Sequence, residues 1–260
     1  MGAVDFELFG CKAFLNAYGI YLAKRKVVHK GNTTMNKRQT GFTLIEIAIV
    51  LVIIGLLLGG VLKGQELITG ARVRNLISQQ DGVKAAYFGF LDRFRALPGD
   101  YSNAVATITN ISTGPCGGAT KGNGNGNGQI EPLAAGLYEN ILAWEHLSKA
   151  GFINGTYTCA IAAGQTTSPT NPYGQYLDLV YDAAYAGTAT SRHNLKTGGQ
   201  VPSDILGEID RKVDDGNAIQ GSFRAQTGAA VDATTTNCYD AAGVWKATGP
   251  GANCGGVNLF

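Results

Sequence analysis

The sequence predicts an α+β fold: a long N-terminal helix, transmembrane in its first half and amphipathic in its second, packed on a small antiparallel-sheet globular domain. Three observations carry this. From Phe42 to Leu62 the only charge is Glu46. From Leu67 to Phe94 apolar residues recur at helical spacing between charged ones. After Pro98 the chain becomes rich in Gly, Thr, Ser and Asn, with short apolar runs between turn signals, which is the pattern of short strands in a loop-rich domain.

Each element follows from its residues. A run of about 20 apolar residues is long enough to cross a bilayer as a helix. Lys37 and Arg38 precede it, and basic residues hold that side in the cytoplasm. Gly55, Gly59 and Gly60 would let neighbouring helices approach closely. Beyond Leu62, the positions Leu67, Ala71, Leu76 or Ile77, Val83, Tyr87, Phe90 or Leu91, and Phe94 form one apolar stripe. The helix is expected from about Thr43 to Ala96, roughly 80 Å at 1.5 Å per residue. Pro98-Gly99 ends it. The expected divisions are 1–41 ahead of the apolar run, 42–62 spanning, 63–97 amphipathic and 98–260 globular.

The domain begins with loops. Gly122 to Glu131 alternates Asn and Gly, which favours positive backbone dihedrals. It partly matches a calcium loop, with Asn123, Asn125 and Asn127 at alternate positions and Glu131 beyond, but Ala134 stands where the closing glutamate belongs. A second helix is expected over Leu133–Ala150, with Leu137, Ile141, Trp144 and Leu147 inward and Glu139 and Glu145 outward. Strands are expected at Thr156–Ala162, Tyr176–Asp182, near Asn194–Leu195 and at Gly221–Ala225. A third helix is expected over Pro202–Val213. Asp214 and Asp215, with Asp210 nearby, form the better calcium candidate by charge; a solvated acidic turn is the competing reading. Beyond Thr227 only Cys238-Tyr239 and Val244-Trp245 look anchored.

Composition narrows the function. Up to Gly41, seven Lys/Arg face two Asp/Glu; from Phe42 on, 14 face 17. The latter part is mildly acidic and its cations do not cluster, so it offers nucleic acid no general attraction. Cys116, Cys159, Cys238 and Cys254 follow the apolar run. An even count in an exported domain argues for two disulfides, with three connectivities open. No C-x-x-C pair marks zinc. No G-x-S-x-G, H-E-x-x-H or phosphate loop occurs, which argues against an enzyme. Nothing in the residues requires a cofactor, and calcium is the one ion that they could take. Tyr173, Tyr176, Tyr181 and Tyr185 are read as core rather than as a binding patch.

The head of the apolar run is specific. Gly41-Phe42-Thr43-Leu44-Ile45-Glu46, preceded by Lys37-Arg38 and followed by an apolar helix, resembles the prepilin cleavage and methylation signal. Over Lys37 to about Leu62 the chain is similar to type IV pilins and to the pseudopilins of type II secretion. The resemblance implies a type IV pilin-like fold. It implies cleavage by a prepilin peptidase between Gly41 and Phe42, and methylation of the new Phe42 amine. Glu46 would recruit the subunit to a filament by pairing with a neighbour's Phe42 amine, since a buried charge needs a partner. Implied partners are further copies of the chain, the peptidase, an assembly ATPase and an inner-membrane platform protein. The location implied is the inner membrane before assembly and a periplasm-spanning or surface filament afterwards. A filament-borne adhesin or a DNA-uptake module is the reading from a different class. Residues 1–41 would be a leader, with Met35 as the expected true start, since Met35–Gly41 has the length and charge of such leaders. The resemblance also favours Cys238–Cys254 as a short C-terminal disulfide loop, leaving Cys116 with Cys159.

Overall fold

The computed structural model describes residues 43–112, 122–132, 138–160, 163–164, 166–228 and 237–260. It divides into two units, one ending at Ile53 and one running from Ile54 to Phe260. Helix α1 spans Leu44–Phe94, 51 residues. Every residue from Thr43 to Lys63 is exposed. The stretch is long and apolar enough to cross a membrane.

Within the second unit, the amphipathic half of α1 is the spine of the core. Val73, Leu76, Gln80, Val83, Tyr87 and Phe90 are buried, at alternating steps of three and four, which keeps them on one face. The expected stripe is therefore correct from Leu76 on, but it starts at Val73. Leu67 and Ala71 are exposed, and Gln80 is buried instead. The helix ends two residues before the expected Ala96 and four before Pro98. Arg95 takes a left-handed conformation (φ 53°) directly after Phe94, the backbone form that ends many helices.

Short helix α2 covers Ala104–Thr107. Helix α3 covers Glu139–Lys149, later than the predicted start; residues 133–137 lie outside the described ones. Helix α4 covers Ser203–Val213, as the sequence suggests. Strands β1 (Asp178–Asp182), β2 (Arg192–Lys196), β3 (Phe223–Ala225) and β4 (Gly256–Leu259) form one antiparallel sheet in the order β1-β2-β4-β3. The register sets Leu179 opposite Leu195 and Phe223 opposite Asn258. The fold is thus α+β, a long helix with a four-stranded antiparallel sheet, as predicted.

One expected strand is absent and one strand was not expected. Thr156–Ala160 forms no strand, and Ala162 lies outside the described residues. Its place in the sheet goes to β4, whose four residues are all buried. The C-terminal tail is therefore anchored by more than Cys238-Tyr239 and Val244-Trp245.

Two apolar clusters lie along α1. One gathers Val73 and Leu76 with α4 (Ile205, Leu206, Ile209), Phe223 and Trp245. The other gathers Val83, Tyr87 and Phe90 with Trp144 and Leu147 of α3 and with Leu179 and Leu195 of the sheet. Gly89 lets the Phe152 ring lie against α1; a Cβ there would come within 2.9 Å of it.

Candidate functional site

The segment with the strongest sequence signal begins at Thr43, the first described residue; Gly41 and Phe42 lie outside the described ones. Thr43 and Glu46 form a reciprocal cap. The Thr43 backbone N–H and hydroxyl both donate to Glu46 Oε2 at 2.8 Å. The Glu46 N–H donates back to Thr43 Oγ1 at 3.3 Å. This is the capping-box arrangement, which satisfies otherwise orphaned N–H groups at a helix start. Glu46 also places a negative charge in the first turn, where the helix dipole favours it. The one carboxylate of the apolar run is therefore hydrogen-bonded within its own chain.

The Asn-Gly loop is held rather than loose. The Asp100 carboxylate accepts the N–H groups of Gly126 (2.6 Å), Asn127 (3.0 Å) and Gly128 (2.8 Å). Glu139 accepts those of Asn125 (2.8 Å) and Glu131 (3.2 Å). The carbonyl oxygens of the Asn side chains serve backbone N–H groups: Asn123 takes that of Val105, Asn125 that of Asn127, and Asn127 that of Gln129. Glu131 accepts the Asn127 amide at 2.9 Å. The atoms expected as calcium ligands are thus engaged in folding the loop.

The expectation that Glu139 and Glu145 face outward is wrong; both are fully buried. Glu145 accepts the N–H of Ser112 at 2.6 Å and that of Cys159 at 2.8 Å. The physical reason is the loops themselves. Segments without sheet or helix leave buried N–H groups that need acceptors, and α3 supplies them. Burial pushes the Glu139 carboxyl up to about 7, despite its two N–H donors. Beside it, His146 accepts the Gly99 N–H through Nδ1 (3.0 Å), so its Nε2 carries the proton donated to Gly122 O (3.0 Å). Burial pushes His146 down to about 4, so the ring is neutral at pH 7.

Asp210, Asp214 and Asp215 do converge. One carboxylate oxygen of each lies within 4.8 Å of the others, close enough to share one cation. Each carboxylate also has an internal role. Buried Asp210 accepts the Trp245 indole N–H at 2.7 Å and the Gly216 N–H at 3.3 Å. Burial pushes it up to about 6. Asp214 accepts the N–H groups of Ser222 and Phe223. Asp215 accepts that of Asn217 at 2.8 Å.

Cys238 and Cys254 are joined, with their Cα atoms 5.8 Å apart. Cys159 is also in a disulfide; Cys116, its expected partner, lies outside the described residues. Of the four tyrosines read as core, Tyr185 is buried, while Tyr173, Tyr176 and Tyr181 are half-buried. Sequence reading missed Asp100, whose role as the loop's acceptor depends on a contact 26 to 28 residues away.

Residues 36–62 match the prokaryotic N-terminal methylation motif. This is the signal shared by type IV pilins and pseudopilins, and it implies processing by prepilin peptidase and filament assembly. Motif and apolar helix together fit membrane insertion. No curated protein and no solved structure matches the chain.

Proposed function

We propose that this chain is a structural subunit of a type IV pilus or pilus-like filament. The methylation motif at residues 36–62, set at the head of an exposed apolar helix, is the observation that carries this reading. In it, residues 1–41 are a leader, and the peptidase cuts between Gly41 and Phe42 and methylates Phe42. Residues 42–62 hold the subunit in the inner membrane with the N-terminus cytoplasmic, and residues 63–260 stand outside it.

Assembly moves the apolar segment from lipid into a bundle of its own copies. Lipid is already apolar, so that transfer has little hydrophobic drive. An assembly ATPase and a platform protein supply the work. Glu46 pairs with a neighbour's Phe42 amine and sets the register. The role is structural rather than enzymatic, with no cofactor required.

Mass spectrometry of the N-terminal peptide in a sheared, cell-free surface fraction tests this. A peptide beginning at methylated Phe42 there supports a surface pilus. The same peptide confined to the membrane fraction favours a secretion pseudopilin. Any other N-terminus in both fractions refutes the reading.

A further inference from the structure

The chain contains four Asn-Gly pairs: Asn123-Gly124, Asn125-Gly126, Asn127-Gly128 and Asn154-Gly155. Asparagine before glycine is open to spontaneous deamidation, because no Cβ hinders the glycine nitrogen. That nitrogen gives up its proton and attacks the asparagine Cγ. The new N–C bond closes a succinimide ring, the Cγ–Nδ2 bond breaks, and ammonia leaves. Water then opens the ring at either carbonyl, giving aspartate or isoaspartate. Ring closure needs a free glycine N–H and an asparagine side chain able to swing onto it.

The fold treats the four pairs differently. In the Asn-Gly loop every glycine nitrogen is engaged. Gly124 N–H donates to Tyr101 O at 2.9 Å, Gly126 N–H to Asp100 O and Oδ1, and Gly128 N–H to Asp100 Oδ2. The side chains are held as well. Asn123 Oδ1 takes the Val105 N–H, and Asn125 and Asn127 each take the N–H two residues on. The Nδ2 groups of Asn125 and Asn127 both donate to Glu131, at 3.3 and 2.9 Å. Exposure does not separate the pairs, since Asn125, Gly126, Asn127 and Gly128 are as open to solvent as Asn154 and Gly155. At the fourth pair, among the described residues, no hydrogen bond holds the Asn154 side chain or the Gly155 N–H. The fold also fixes the glycine there: Gly155 sits at φ 107°, and a Cβ would come within 3.1 Å of the Tyr157 ring.

We infer that Asn154 is a site of spontaneous deamidation, and that the hydrogen bonds to Asp100, Tyr101 and Glu131 shield the other three pairs. Each of those bonds must break before a ring can close, and two or more slow closure by about tenfold or more. Conversion puts a carboxylate on an exposed turn, two residues beyond the Phe152 ring that lies against Gly89. The inference stands apart from the filament reading: it concerns the second unit only, and its failure leaves the N-terminal test untouched.

The test ages the full chain near neutral pH, folded in detergent micelles and unfolded in urea, followed by trypsin at mildly acidic pH. Cleavage after Lys121, Lys149 and Arg192 puts the loop and Asn154 on separate peptides. Conversion is read by mass, and isoaspartate by its fragment ions. In the folded chain Asn154 should convert about tenfold or more faster than Asn123, Asn125 or Asn127; in urea all four should convert at comparable rates. Asn154→Gln, at an exposed position, should melt like the wild type and remove the conversion from its peptide. Asn154 converting no faster than the loop in the folded chain, or the same preference persisting in urea, would overturn the inference.

Discussion

Glu139 offers the sharpest test of how this domain is built. Its carboxylate is fully buried, accepts two backbone N–H groups and has Asp100 and Glu131 nearby. Burial, aided by those two carboxylates, outweighs the donors, so the folded chain holds the proton up to about 7, against 4.5 for the free group. The folded state therefore binds a proton that the unfolded chain has lost. This contribution is fully present below pH 4.5 and is lost as pH rises through about 7. The interval corresponds to on the order of 3 kcal/mol.

Other groups titrate in the same range. Asp210, raised to about 6, acts in the same direction. His146, lowered to about 4, opposes it, because its stabilisation is lost as pH falls from 6.5 through about 4. Comparing variants removes both. Glu139→Gln mimics the protonated acid in shape and keeps one oxygen for one N–H. Near pH 5 it should cost no more than about 1 kcal/mol. Near pH 8 the wild type carries the buried charge and the variant does not, so the variant should gain on the wild type by about 2–3 kcal/mol. At about 2–4 °C per kcal/mol, that is a relative shift of several degrees. The assay is thermal unfolding of the full chain in detergent from pH 5 to 8, followed by tryptophan fluorescence, since Trp144 is buried on the same helix. Parallel wild-type and variant curves over that range would refute the reasoning.

Three further outcomes follow from the geometry. Gly99→Ala should destabilise the domain by several degrees in the same melt. Gly99 sits at φ 88°, and a Cβ there would lie 2.3 Å from the Glu139 carbonyl oxygen. Cys238→Ser with Cys254→Ser opens a bridge of sequence separation 16 and should cost about 3 kcal/mol, read as a lower denaturant midpoint; an unchanged midpoint refutes it. Asp214→Ala leaves the Ser222 and Phe223 N–H groups without their acceptor and should cost about 1–3 kcal/mol. The loss should be the same with calcium or with a chelator, whereas a loss seen only with calcium would make Asp214 chiefly a ligand.

What the sequence made legible was whatever repeats or stands close together. The long helix shows in an unbroken apolar run and then in a periodic stripe. The α4 helix shows in its own amphipathic spacing, and the head of α1 in a compact motif. Several of the misses are long-range. Glu139 and Glu145 look like surface residues because their partners are backbone N–H groups in loops with no local signature. Asp100 holds a loop more than 20 residues away. Strand β4 is four residues, Gly-Val-Asn-Leu, with little alternation of its own. It is a strand because β2 and β3 flank it, which local propensity does not encode.

The cap at Glu46 changes what its pairing could contribute in a filament. A bare carboxylate in an apolar bundle would cost several kcal/mol, and any cation would relieve it. Here Oε2 already accepts the Thr43 N–H and hydroxyl, so a neighbour's amine would bring a counter-charge to a carboxylate that is hydrogen-bonded but not neutralised. The net gain is therefore smaller than it would be for a carboxylate with no hydrogen bonds. Affinity from this contact is then modest, and apolar transfer out of lipid adds little. What the contact can supply is register, because a single charge along an otherwise uncharged segment would meet its counter-charge at one stagger and not at the others. On that argument Glu46→Gln should leave membrane insertion intact and lower the yield of ordered filaments, and Thr43→Val should weaken the competing internal cap without removing the charge. If both variants assemble like the wild type, the carboxylate does not set the stagger.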